Sequence, residues 1–245
     1  MTYKSKIHWH LYYTVFIVKY VGNIKKGKMK MKYNTYLFDF DGTLVDSMPS
    51  FISVMLRILD ENNIKYGEEI VKIITPLGYA GTAEYFQQLG VPMSKDKMIK
   101  QMNEYIYEDY LYNIPEKSNV VSTLETLKKM GADLNVLTAS PHLVLDPCLK
   151  RLGIYDLFTN VWSCDDFSTT KANPEIYKKA AEKLGKPVGE ILFLDDNYNA
   201  DKTAKIAGMK VCGVFDKSSS DYADDIKSIT DHYIYDFSEL LGIDK

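Results

Sequence analysis

Short apolar runs that end in polar or acidic residues, separated by helical stretches, constrain this chain more than any other feature. Tyr36-Leu37-Phe38 leads directly into Asp39 and Asp41. Leu134–Leu137, Ile191–Leu194 and Lys210–Val214 are further runs of strand length, shorter than the helices of a globular domain. Between the last three, the pattern is helical. Tyr177, Ala180, Ala181 and Leu184 recur at helical spacing, with Asn173 as N-cap, Pro174 at the first helical position and Gly185 beyond the end. Asp201–Ala207 closes on Gly208 in the same manner. Apolar strands alternating with helices predict an α/β fold, a doubly wound parallel sheet covered on both faces. Pro147 predicts that the helix after Ser140 is kinked at that point or begins there.

Residues 48–114 interrupt this alternation. Phe51, Val54, Met55, Ile58 and Leu59 form one apolar stripe at helical spacing. A second helix is expected over Thr82–Leu89 and a third over Lys95–Tyr112, where Ile99, Met102 and Ile106 line up. With no strand among them, the segment reads as a small helical bundle inserted after the first strand. It is joined to the sheet through Asp46–Met48 and Asn113–Lys117. Pro76–Gly81, punctuated by Pro and Gly, predicts a loop between two of these helices and a candidate for substrate selection.

The chemistry gathers where the strands end. Asp39-Phe40-Asp41-Gly42-Thr43-Leu44-Val45-Asp46-Ser47 follows the first strand without a break. Two carboxylates at i and i+2 past a buried strand project toward the crevice at the carboxyl edge, where open α/β sheets bind ligands. Asp39 suits a nucleophile and Asp41 a proton donor and base, the two groups that phosphoryl transfer through an aspartyl-phosphate requires. Gly42 lets the chain leave the strand tightly.

Asp39–Ser47 resembles the first motif of the haloacid dehalogenase-like (HAD) superfamily, in the subgroup with a helical cap after that motif. Thr138-Ala139-Ser140 resembles the second, whose hydroxyl binds the transferring phosphoryl group. Lys171-Ala172-Asn173-Pro174-Glu175-Ile176-Tyr177 resembles the third, whose lysine neutralises nucleophile and phosphate. Asp195-Asp196 followed by Asp201 resembles the fourth, whose acids hold magnesium.

The resemblance covers about residues 34–241. It implies a HAD-like Rossmannoid core over 34–47 and 115–245, an all-helical cap over 48–114, and a Mg2+-dependent phosphatase. That enzyme would hydrolyse small phosphomonoester metabolites through an aspartyl-phosphate. The implied catalytic residues are Asp39, Asp41, Thr138 and Lys171. Gly42, Thr138, Ala139, Ser140 and Lys171 would bind phosphate. Asp39, the backbone carbonyl of Asp41, Asp195 and Asp196 would hold the metal.

A sugar phosphomutase of the β-phosphoglucomutase type, built on the same core and cap, is the alternative. Halide displacement would need neither Asp41 nor a metal. From a different class, a phosphoaspartate receiver or a catalytically silent binding module stands against these, but a receiver has no reason to carry a bundle of this size. The chain departs from the family pattern at Ala172, where Pro is frequent, and at Asp195, where Gly is frequent. Ala200 occupies a position where many members place an acid, so that Asp201 is the nearest one. His142 and His232 match no motif and read as structural or exposed; Cys164 reads as a small buried thiol.

Charge and cysteine content narrow the partners. Residues 1–33 hold eight Lys and no acid, so the 30 basic and 33 acidic residues of the whole leave 22 against 33, a charge of −11, on the remainder. Such an acidic body lacks the electrostatic footprint of a nucleic-acid binder. A small phosphorylated metabolite is the expected partner, with no nucleic acid and no membrane, and with monomer and dimer both open. Cys148, Cys164 and Cys212 are too scattered for a disulfide framework or a zinc site, so a reducing cytoplasm is expected. Leu11–Val18 is apolar but too short to span a bilayer. Lys25–Met31 follows it, without a small-residue cleavage site. Residues 1–33 are therefore expected to be an N-terminal extension, and residues 1–30 to lie outside the functional enzyme, with translation starting at Met29 or Met31. A membrane-associated amphipathic arm is the competing reading.

Overall fold

The runs that are apolar without alternation become strands buried on both faces. In a computed structural model that describes residues 31–243, all four residues of β1 (Thr35–Phe38) and all five of β4 (Ile191–Asp195) are buried. They form the centre of a parallel sheet with β2 (Asp133–Thr138), β3 (Asn160–Ser163), β5 (Lys210–Val214) and β6 (His232–Ile234). The order is β3-β2-β1-β4-β5-β6, and every pairing is parallel. The doubly wound sheet expected from the sequence is therefore present, with two strands more than the apolar runs reveal. β3 is only half-buried and β6 has three residues, so neither produces a run of apolar positions.

Nine α-helices are formed by the described residues. α1 (Met48–Glu61), α2 (Ile70–Ile74), α3 (Gly78–Gln88) and α4 (Lys95–Tyr112) all fall between β1 and β2, with no strand among them. α5 (Val120–Met130), α6 (His142–Arg151), α7 (Glu175–Leu184), α8 (Tyr198–Ala207) and α9 (Ala223–Ile229) accompany the sheet. From Tyr33 onward these elements belong to one compact unit.

Alternation along β1 sends its side chains to two cores. Leu37 faces Ile176, Tyr177, Ala180 and Ala181 of α7 and Ala200, Ala204 and Ala207 of α8, together with Phe193 and Val211. Small alanines on α8 let the helix lie close to the sheet. Tyr36 and Phe38 point the other way, where Phe38 meets the rings of Phe158 and Phe237. The helix termini follow the expected chemistry. Gly185 and Gly208 end α7 and α8 in left-handed conformations. Asn173 Oδ1 accepts from the Glu175 amide at the start of α7.

Of the two readings of Pro147, a helix that begins there is ruled out, since Pro147 lies inside α6, which begins at His142. Three further expectations are corrected. The third apolar stripe of the inserted segment runs through Met98, Met102, Ile106 and Tyr110, all buried, whereas Ile99 is only half-buried. The helix expected over Thr82–Leu89 starts at Gly78. Pro76–Gly81 is consequently no loop: Thr75–Leu77 is a 3-10 turn, and Gly78 (φ 58°) redirects the chain into α3. The expectations for residues 1–30, including the apolar run Leu11–Val18, lie outside the described residues. Among the described residues no helix is long and apolar enough to cross a membrane.

Gly213 in β5 shows how closely the sheet is covered. A Cβ there would lie 2.4 Å from Ile226 Cγ2 and 2.7 Å from Tyr233 Cδ2. Gly213→Ala should therefore cost about 1–3 kcal/mol through overpacking. Thermal unfolding should show a melting temperature lowered by several degrees; an unchanged midpoint would mean that α9 shifts freely.

Candidate active site

Strand register assembles the site. Phe38 is level with Leu194 on one side and Val136 on the other, so the residues that follow leave the sheet together. Asp39 continues the ladder, its amide donating to the Leu194 carbonyl at 2.8 Å. Here β1 lies between β2 and β4, where the strand order reverses and neighbouring connections diverge, the usual crevice for ligands in such sheets. Asp39, Asp195 and Asp196 converge there, all buried, with one carboxylate oxygen from each within 4.8 Å of the others.

Lys171 is the cation among these acids. Its Nζ lies 2.7 Å from Asp39 Oδ1 and 2.7 Å from Asp195 Oδ2. Burial alone would lower the lysine's pKa, but Asp195 and then Asp39 outweigh it and hold the ammonium well above its usual value. The Lys171 segment is fastened from below, since the Tyr177 hydroxyl is within hydrogen-bonding distance of the Lys171 and Ala200 carbonyls. The Asn197 amide donates to Asp195 Oδ1 at 2.8 Å, while the Asn197 side chain caps α8. Asp195 is thereby committed on both oxygens.

Asp196 has fewer partners. Thr43 Oγ1 donates to its Oδ1 at 3.1 Å. Burial, then the charges of Asp195 and Asp39, push its pKa well above the usual carboxylate value. Gly42 sits against it: φ is +74°, and a Cβ there would lie 2.6 Å from both Asp196 oxygens. Asp201 in α8 is fully buried, and neither of its oxygens accepts a hydrogen bond. It is not among the three converging acids.

These observations bear on whether a metal ion fits. Two unit charges 4 Å apart repel by about 4 kcal/mol at the effective dielectric typical near a protein surface. Three ionised carboxylates sharing one ammonium leave negative charge uncompensated. The converging donors are hard carboxylate oxygens, without Cys or His, a set suited to magnesium or a similar hard cation. The buried Asp cluster can hold a metal ion.

Asp41 stands apart from that cluster. Ser140 Oγ donates to its Oδ2 and the Tyr110 hydroxyl to its Oδ1, each at 2.5 Å. Burial raises its pKa, against the lowering effect of Ser140 and then Tyr110. Thr138 is buried at the end of β2 and its Oγ1 accepts from the Ser140 amide at 3.1 Å, with exposed Ala139 between them. The Ser140 hydroxyl is thus engaged with Asp41.

Sequence reading missed three contributors. Lys117 Nζ donates to the Gly42 and Phe215 carbonyls, each at 2.6 Å, and to Asp216 Oδ2 at 3.0 Å. It ties the loop after β1 to the end of β5. Thr43 and Tyr110 complete the set; only Tyr110 left a signal, as the next i+4 position after Ile106. His142 and His232 have structural partners. His142 bridges Asp146 and Asp166 at 2.8 and 2.9 Å, and His232 pairs with the Tyr33 hydroxyl. All three cysteines are free and buried.

Known proteins resemble this chain over most of its length. Pyrophosphatase PpaX of Bacillus velezensis is 32% identical over 179 residues, covering 73% of this chain and 81% of that protein. A phosphoglycolate phosphatase of Haemophilus influenzae is 28% identical over 225 residues, covering 88% of this chain and all of that one. Among solved structures, one described as a predicted phosphoglycolate phosphatase from Haemophilus somnus superposes with a TM-score of 0.71 at 25% identity. It covers 87% of this chain and 99% of its own. The profile of the haloacid dehalogenase-like hydrolases matches residues 36–214, from the first residues of β1 to the end of β5. The chain belongs to the haloacid dehalogenase-like hydrolase family.

Proposed function

We propose that this hydrolase is a magnesium-dependent phosphatase of small phosphorylated metabolites, acting through an aspartyl-phosphate on Asp39. The observation that carries the reading is the convergence of Asp39, Asp195 and Asp196 around Lys171 at the carboxyl edge of the sheet. The names of the PpaX and phosphoglycolate phosphatase relatives support it.

Asp39 attacks phosphorus in line, and Asp41 protonates the departing alcohol. Asp41, now a carboxylate, takes a proton from the water that hydrolyses the aspartyl-phosphate. Lys171 offsets the charge of nucleophile and phosphate, and Thr138 with the backbone of Gly42, Ala139 and Ser140 orients the phosphoryl oxygens. Asp39, Asp196 and the Asp41 carbonyl would hold magnesium, with Asp195 beside them. When bound, the ion supplies the positive charge that lets an anionic phosphoryl group approach an anionic nucleophile. We assign residues 48–114 as a cap over a core of 34–47 and 115–245, a lid that limits water and contacts the substrate.

Two variants test this. Asp39→Asn keeps the shape but removes the nucleophile, so turnover of p-nitrophenyl phosphate should fall at least about a thousandfold. Turnover within tenfold of the wild type would refute the assignment. EDTA should abolish wild-type activity and magnesium restore it. Gly42→Ala places a methyl against Asp196 and strains a positive φ. The magnesium concentration for half-maximal rate should rise about tenfold, and the metal-induced increase in melting temperature should shrink. Unaltered magnesium dependence in both measurements would remove Asp196 from the metal site.

A further inference from the structure

Tyr110 ends the buried stripe of α4, after Met98, Met102 and Ile106. It is the member whose hydroxyl leaves the bundle: 69 residues from Asp41 in sequence, it donates to Asp41 Oδ1. Burial and the adjacent Asp41 charge raise the phenol's pKa, so it remains a donor. Its ring is clamped between Phe40, stacked at 5.9 Å between centroids, and Phe51, edge-on at 6.3 Å. Its backbone is held from the other side, because the Arg151 guanidinium on α6 donates to the carbonyls of Tyr110 and Ile114. The ring is thus fixed by Phe40 and Phe51, the backbone by Arg151 and the hydroxyl by Asp41.

Asp41 is consequently held at both ends, by Ser140 on Oδ2 and Tyr110 on Oδ1. Each carboxylate oxygen has two lone-pair directions, so one on each oxygen remains for proton transfer. A carboxylate held by one donor can swing about its χ angles; one held by two presents its free lone pairs in one direction.

We propose that Tyr110 is a positioning residue for Asp41, contributed by the inserted helical segment, and that it aims the Asp41 proton at the leaving-group oxygen. This rests on the acid–base reading of Asp41 given above. Tyr110 touches no reacting atom. It acts by fixing the carboxylate, and geometric misplacement of an acid by about 1 Å can cost about a hundredfold in rate.

The test compares esters that differ in their need for a proton. Tyr110→Phe keeps the ring and its stacking and removes only the hydroxyl; its melting temperature reports whether the fold is intact. kcat/KM is measured for p-nitrophenyl phosphate, whose leaving group departs without a proton, and for glycerol 3-phosphate, whose alkoxide requires one. The same is done for Asp41→Asn and for the double variant. Tyr110→Phe should lose about tenfold or more on glycerol 3-phosphate and clearly less on p-nitrophenyl phosphate. In the Asp41→Asn background its loss on glycerol 3-phosphate should vanish. Equal losses on both esters, no loss on either, or a full additive loss in the double variant would overturn the positioning role while leaving Asp41 in place. Absence of leaving-group dependence in Asp41→Asn itself would overturn the reading of Asp41, and this inference with it.

Discussion

Lys171 reaches two carboxylates at once, Asp39 and Asp195, both at 2.7 Å, and the remainder of the site is arranged around that ammonium. The cluster places three buried acids at the end of the sheet, a burden that a folded protein carries only if the charge is neutralised or coordinated. Lys171 offsets part of it and the Asn197 amide and Thr43 hydroxyl take some of the lone pairs. The negative charge that remains is what a metal ion held by the three acids would offset. Removing Lys171 alone would leave the acids uncompensated, the costly way to break a buried ion pair.

The fold supplies the rigidity this arrangement needs. β1 and β4 are buried from end to end, so Asp39 and Asp195 emerge from strands that close packing on both faces holds in register. Gly42 allows the loop to turn directly against Asp196, and Lys117 holds the Gly42 carbonyl while reaching Phe215 and Asp216 across the site. The linkers to the inserted helices are themselves paired, through Asp46 to Pro115 and Lys117 to Leu44. The segment that carries Tyr110 therefore joins the sheet beside the loop that carries Asp39 and Asp41.

The legible parts were those encoded locally. Acids directly after fully apolar strands announce a site, and four ordered motifs point to Asp39, Thr138, Lys171 and Asp196. Helix ends marked by Gly185 and Gly208 were equally readable. Contacts made over long sequence separations were not: Tyr110 to Asp41 spans 69 residues and Lys117 to Gly42 spans 75, and no periodicity relates such pairs. The edge strands escaped because a half-buried or three-residue strand has no apolar run. Pro76–Gly81 misled for another reason: Pro and Gly mark helix starts and redirections as well as loops, and here they do the former.

The claim on which the rest depends is that Asp39 carries the phosphoryl group. Enzyme with Asp41→Asn, in which hydrolysis of the intermediate should be slow, can be mixed with p-nitrophenyl phosphate and magnesium and quenched in acid. Borohydride then reduces an acyl phosphate to the alcohol, leaving homoserine where aspartate stood, and peptide mass spectrometry locates it. The expected result is homoserine at position 39 alone, dependent on substrate and magnesium. Homoserine at Asp195 or Asp196, or turnover with no marked residue at all, would contradict it.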